Sequence, residues 1–426
     1  MARTVSWTTS LASVQWLIFI FANTIVVPIS VGAAFDLSPQ EITGILRSSL
    51  VFTGIFCVLQ GLIGHRLPLM EGHSGVMWGV VLHVSLASSS MGVSLPTVGG
   101  SIATGMLLAG AAIVLLAVCN LLSFIHTIIS SMVMNVFLFL LTVQLNLIFF
   151  KGMLKLDENG ALDVSISMYS IGIVILVFLL KVKGNKAIGN FSILIGMIAG
   201  WILYLILFPS PAAVTIGGNS TAFPLFPFGP PSWNTGIIIV TFLASLVNLS
   251  NTLASIQAAS RLLGVEVNPA RVKQSYVLTG AYSITGAVFG LVSYAPFASS
   301  IGFLESTQIF NRKPFLIAGG MLSVLGLLPF TVRILATLPV TVGYAVLFVA
   351  YLQLLGTSLK SVKNIDFNSI TIYRIAIPLI IGICIMHTDV SVFKNVPVTI
   401  QPFLSNGLVM GVFLSIILEK CIRWET

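Results

Sequence analysis

The stretch Glu71-Gly72-His73-Ser74-Gly75 puts a carboxylate, an imidazole and a hydroxyl within five residues, after Pro68 and before an apolar run. Glu71 can carry a proton, and His73 can share that role because a modest environmental shift moves histidine across neutral pH. Gly72 and Gly75 let backbone approach a ligand where a side chain would obstruct it. A second stretch, Tyr294-Ala295-Pro296-Phe297-Ala298-Ser299-Ser300, again joins a proline to small and hydroxyl residues. Glu71 also has structural readings. It can accept N–H bonds at a helix start or pair with nearby Arg66. Glu305, His83 and the polar residues Gln15, Asn23, Gln144 and Asn146 occur in or beside other apolar runs. Most such groups bond neighbouring helices.

The elements that carry these groups must cross a membrane. Of 426 residues, 57% are hydrophobic and 8% charged, with 37 Gly and 18 Pro. Soluble domains carry roughly 25% charged residues, so this composition cannot cover a water-facing surface. Apolar runs of about 20 residues recur from end to end, the length of a membrane-crossing helix. A barrel would need alternating strands instead. The chain reads as an all-α polytopic membrane protein with fourteen transmembrane segments. They centre near Phe21, Thr53, Val80, Ala112, Leu138, Ile173, Met197, Leu246, Ser283, Ile301, Leu322, Val346, Ile380 and Val412. The Pro/Gly-rich segment 209–234 separates two sets of seven.

An even count puts both termini on one side, and the basic residues say which. Arg3, Arg66, Lys181, Lys183, Lys186, Arg261, Arg271, Lys273, Arg312, Lys313, Lys360, Lys363, Lys420 and Arg423 share the side of the N-terminus. Only Lys151, Lys155, Arg333 and Lys394 fall opposite. This positive-inside asymmetry predicts cytoplasmic termini in a plasma (inner) membrane. It also accounts for the net charge of +8 without nucleic acid. The first run lacks a small-residue cleavage site, so it reads as a span rather than a signal peptide. Cys57, Cys119, Cys384 and Cys421 show no paired spacing, hence no disulfide framework and no metal motif. No cofactor is expected.

The third and tenth segments are interrupted alike. Each begins extended around a proline, Pro68 or Pro296, and continues as a short helix. With seven segments per half, the second half must be inverted relative to the first. Broken helices in corresponding positions of inverted repeats point to a midplane binding site. A half-helix starting inside the membrane offers unpaired N–H groups and a positive dipole end to an electron-rich solute. The alternative is that both prolines only kink continuous helices.

At these residues the sequence resembles the nucleobase–ascorbate transporter family, the nucleobase:cation symporter-2 group of uracil, xanthine and urate permeases. "QWLIFIFANTIVVP" (15–28) is similar to the family's first span, and "LPLMEGHSG" (67–75) to its Leu-Pro-x-x-x-Gly-x-Ser-Phe stretch. "LASLVNLSNTLASI" (243–256) occupies the place of the eighth span, and "SSIGFLESTQ" (299–308) resembles the family's signature Gln/Glu-Asn-x-Gly-x-x-x-x-Thr-Arg/Lys/Gly. The resemblance implies short strands before segments 3 and 10 that pair, with substrate between the half-helices. It implies a core of residues 1–125 and 235–334 and a gate of 126–208 and 335–426, joined by the extracellular linker 209–234. Elevator-like, proton-coupled transport and a homodimer through the gate segments are implied with it. Substrate-binding positions carried over are Asn23, Ser74, Gly75, Asn248, Ser299 and Ser300. Gln15, Thr252, Gly302 and Thr307 would support them.

Several positions depart from the family. Asn248 stands where a substrate-binding Glu is usual, Ser299-Ser300 where the Gln/Glu-Asn pair is usual, and Trp16 where His is usual. A carboxylate accepts ring N–H protons about twice as strongly as a neutral group. Asn248 and Ser299 instead both donate and accept. The expected function is a secondary transporter of purine or related nucleobases such as xanthine or urate, not an enzyme. The alternative is a transporter or channel for small inorganic or carboxylate anions with the same inverted repeats.

Overall fold

The computed structural model describes residues 7–422, except 90, 122–129, 156–160, 209–222, 298, 336, 362–367, 394 and 398–399. Most of the linker 209–234 and the expected core–gate boundary at 125/126 therefore lie outside the described residues. So do the basic residues Arg3, Lys363, Lys394 and Arg423.

The first half runs α1 (Trp7–Thr24), α2 (Val26–Ala34), α3 (Pro39–Leu62), β1 (Glu71–His73), α4 (Gly75–Leu86), α5 (Leu95–Val118), α6 (Ser131–Met153), α7 (Val164–Lys183) and α8 (Lys186–Leu207). The second half begins with α9 (Thr235–Leu263), α10 (Pro269–Phe289), β2 (Tyr294–Pro296), α11 (Ser299–Thr307) and α12 (Arg312–Leu327). It continues with α13 (Pro329–Leu335), α14 (Val340–Ser361), α15 (Ser369–His387), α16 (Gln401–Leu404) and α17 (Gly407–Cys421).

Helix starts follow local chemistry. Ser38 and Glu41 close a reciprocal capping box ahead of α3, with Pro39 in the first turn. Ser94, Asp163, Asn234 and Asn268 each accept an N–H in the first turn of their helices. Gly264 and Gly290 end α9 and α10 in left-handed conformations at φ 64° and 67°. All fourteen segment centres expected from hydropathy fall inside helices. Among the described residues, seven helices are long and apolar enough to cross a membrane alone, or eight if α12 and α13, bent by 89°, count as one.

The packing repeats itself between the halves. α3 lies along α12 as α10 lies along α5, and α1 meets α12 as α9 meets α5. Pairing α1 with α9, α3 with α10 and α5 with α12 maps one half onto the other, as inverted repeats require. Both crossings are made at glycine. A Cβ on Gly54 of α3 would sit 2.3 Å from the Gly319 carbonyl oxygen of α12. A Cβ on Gly110 of α5 would sit 2.7 Å from that of Gly280 on α10. Small residues let membrane helices approach through dispersion contacts, since lipid supplies no hydrophobic drive between them. The remaining long helices form a second group, in which α6 packs on α14, α15 on α17 and α7 on α8.

Candidate functional site

The two strands meet where the halves meet. β1 and β2 pair antiparallel, with Glu71 opposite Pro296, Gly72 opposite Ala295 and His73 opposite Tyr294. Two flanking bonds lengthen the ladder, Ser74 N–H to Ser293 O at 2.7 Å and Phe297 N–H to Met70 O at 2.8 Å. The pairing satisfies backbone that lipid could not. The interrupted segments are therefore strand-plus-half-helix units rather than kinked helices.

Ser74 caps α4 by accepting the Met77 N–H at 3.4 Å, and its hydroxyl donates to Asn248 Oδ1 at 2.8 Å. Asn248 Nδ2 in turn donates to the Tyr294 carbonyl at 3.2 Å. The amide orientation follows from its partners, because a carbonyl can only accept. One buried side chain thus ties α9, the start of α4 and strand β2 together. Ser300 makes the matching tie at α11, accepting the Met70 N–H at 3.1 Å. Ser300→Ala would strand that buried donor, with an expected loss of about 1–3 kcal/mol. A lower melting temperature of the purified protein checks it.

Ser74, Gly75, Asn248 and Ser300 are brought together around the ladder. Ser299 and Gly302 lie one turn apart on an exposed face of α11. A Cβ on Gly302 would meet nothing within 4 Å. Gly75 faces the other helix group, where a Cβ would touch Leu145 of α6 at 3.1 Å and Tyr351 of α14 at 3.8 Å. Gln144 of α6 donates to the Gly79 carbonyl at 3.3 Å, one turn further along α4. Thr252, buried one turn beyond Asn248, leaves its hydroxyl without a hydrogen-bond partner among the described residues. Asn23 is half-buried and bonds back to Phe19 O at 2.8 Å within α1. Gln15 is half-buried on the same helix. Thr307 closes α11 by bonding to Phe303 O at 2.7 Å. At 1.5 Å per residue that places it about 10 Å from Ser300 along the helix.

Glu71 and His73 lie on the same side of β1, facing α3. His73 Nε2 bonds Ser49 Oγ at 2.7 Å. Glu71 is fully buried, and its Oε1 is 3.6 Å from His65 Nε2. Its neighbour is thus His65, not Arg66, whose side chain is exposed. Reading along the sequence missed His65, because Pro68 and a turn bring it back onto the strand. It also missed the role of Trp16. That indole is fully buried against Phe303 of α11 and Phe315 of α12, with ring centroids 4.5 and 5.1 Å away, and pins the first span to the half-helix.

The sequence and the fold both have counterparts among known proteins. The sequence profile of the permease family fits residues 8–390. The chain is 27% identical to YwdJ of Bacillus subtilis, described as a candidate purine permease, over 97% of this chain and 96% of that one. It is 23% identical to the xanthine permease of the same bacterium, over 95% and 92% of the two chains. Its fold is similar to the transmembrane domain of the cyanobacterial bicarbonate transporter BicA, with a TM-score of 0.65 at 15% identity and coverage of 95% and 97%. The chain is a multi-pass membrane protein with inverted-repeat architecture, and it belongs to the permease family of nucleobase–ascorbate transporters.

Proposed function

We propose that this permease takes up purine-type nucleobases such as xanthine or urate, coupled to protons, across the plasma membrane with both termini in the cytoplasm. The carrying observation is the Ser74–Asn248 couple at the start of α4. Its bonds to Ser74 and Tyr294 leave Asn248 one N–H and one lone pair. A purine lactam edge presents the complementary carbonyl and N–H side by side. Ser299 and Gly302 on the open face of α11, Gly75 at the start of α4 and Asn23 on α1 complete the proposed binding surface. Gln15, Thr252 and Thr307 support it.

Helices α1–α5 and α9–α13 form the proposed moving core, and α6–α8 with α14–α17 the gate, through which two copies associate. Gly75 and Gly79 give α4 a nearly flat face towards α6. A small apolar cavity of about 60 Å³, lined by Val76, Val247, Phe137 and Val412, continues the boundary between the two groups. A smooth apolar boundary suits sliding of one group past the other.

The test is thermal melting of the purified protein with nucleobases, ascorbate and small anions. A ligand at 100 times its Kd stabilises the folded state by about 2.7 kcal/mol. Stabilisation by xanthine or urate, lost in Asn248→Ala relative to its own melt, supports the reading. Stabilisation by inorganic or carboxylate anions alone would replace it with anion transport.

A further inference from the structure

We propose that Glu71 and His65 form the proton-carrying pair of this permease, set behind the strand ladder and apart from the groups that meet substrate. The inference rests on the permease reading and adds where its coupling proton sits. Both side chains are fully buried, with Glu71 Oε1 3.6 Å from His65 Nε2. That is beyond hydrogen-bonding range. Neither carboxylate oxygen has a hydrogen-bond partner among the described residues.

The imidazole's state follows from its other nitrogen. His65 Nδ1 accepts the Leu67 N–H at 3.0 Å, so its lone pair is in use and the ring proton resides on Nε2, facing Glu71. Protonating His65 further would break that bond and the turn it holds. Glu71 is therefore the group of the pair that gains and loses a proton.

The other titratable side chains around Glu71 supply no positive charge. Cys57 of α3 exchanges weak bonds with the Glu71 backbone, at 3.3 and 3.5 Å. Tyr282 of α10 donates to Phe56 O, Tyr294 of β2 is bonded to Thr53, and His73 is bonded to Ser49. The described part of α1, which also touches β1, contributes no titratable side chain. No lysine or arginine among the described residues lies at ion-pair distance from Glu71.

The cycle is one proton. With Glu71 protonated, the pair is neutral and stands slightly apart. When the Oε–H bond breaks, its electrons stay on the carboxylate and the proton leaves to water. The carboxylate then draws the His65 Nε2–H into a charge-assisted bond, and His65 keeps its own proton. Closing that gap pulls on β1, which is bonded to β2 and leads directly into Ser74 and the Asn248 tie. His65 adjoins the exposed Arg66, so the pair lies close to the side assigned to the cytoplasm.

The experiment reconstitutes the full chain in proteoliposomes, with radiolabelled xanthine as probe and Glu71→Gln and His65→Asn as variants. Asn can still accept the Leu67 N–H but has nothing at the Nε2 position. Glu71→Gln is expected to keep xanthine exchange within about twofold while accumulation driven by a proton gradient falls to the equilibrium level. His65→Asn is expected to keep exchange and move the pH midpoint of accumulation. Infrared spectra should show a protonated-carboxyl band in the wild type that is missing in Glu71→Gln. Gradient-driven accumulation by Glu71→Gln at the wild-type level, or the same carboxyl band in both proteins, overturns the inference. If Glu71→Gln does not fold, an unmoved pH midpoint in His65→Asn overturns it. Wild-type protein that exchanges no nucleobase sinks the permease reading instead, and the infrared band still decides the proton site.

Discussion

Asn248→Ala is expected to abolish nucleobase uptake and to destabilise the protein by about 2–6 kcal/mol, from two buried polar partners left unmatched at about 1–3 kcal/mol each. The partners are the Ser74 hydroxyl, 2.8 Å from Oδ1, and the Tyr294 carbonyl, 3.2 Å from Nδ2. Without them the start of α4 is no longer fixed to β2, and the proposed binding edge loses the amide that would pair with a lactam. Asn248→Asp is the sharper probe, being nearly isosteric. An ionised carboxylate accepts only, so it would face the Tyr294 carbonyl with no proton between them. Asn248→Asp should therefore melt no higher than Asn248→Ala and should not recover uptake. This gives a reason for a neutral amide to stand where the family resemblance leads one to expect an acid: the local network needs a donor. Uptake by Asn248→Asp at the wild-type rate would show that the tie is dispensable.

Gly54→Val should be among the most damaging single changes to the fold. Its Cβ would lie 2.3 Å from both Gly319 O and Ser323 Oγ and 2.8 Å from Ser323 N. Ser323 cannot turn aside freely, because its hydroxyl is held by the Val51 carbonyl at 3.0 Å. All three obstacles are thus backbone or backbone-anchored, and α3 must separate from α12 to admit the side chain. Overpacking of this kind costs about 3 kcal/mol or more. Size-exclusion chromatography and melting in detergent should show little folded protein. Gly302→Val is the control, since its Cβ meets nothing within 4 Å and folding should survive. Equal stability of the two variants would contradict the close crossing. Gly110→Val, at the equivalent crossing of α5 and α10, should behave like Gly54→Val.

Much of this architecture was legible beforehand because its causes are local or periodic. Apolar runs placed the segment centres. Ser, Asn and Asp caps placed helix starts, and proline beside small residues marked both broken segments. Pro68 and Pro296 could signal an interruption because proline lacks an N–H wherever it occurs. The strand pairing itself was reached only through family resemblance, since a three-residue strand has too few positions to show a period of two. The site was less legible for the same kind of reason. Asn248 could be named as a contact position, but not as a strap between α4 and β2, because its partners are 174 and 46 residues away.

The carboxylate shows the limit most clearly. Glu71 and His73, two residues apart, looked like a proton-sharing pair, and both do lie on one side of β1. Yet His73 bonds Ser49 of α3, and the imidazole facing Glu71 is His65, returned by a turn. By itself, the sequence determined that the chain crosses a membrane, that its halves are inverted, and which residue types reach its centre. Those facts follow from composition, periodicity and backbone chemistry, which act within a few residues. Only the tertiary structure decided which polar group faces which, because in a low-dielectric interior each buried donor takes whatever acceptor the packing brings within about 3 Å.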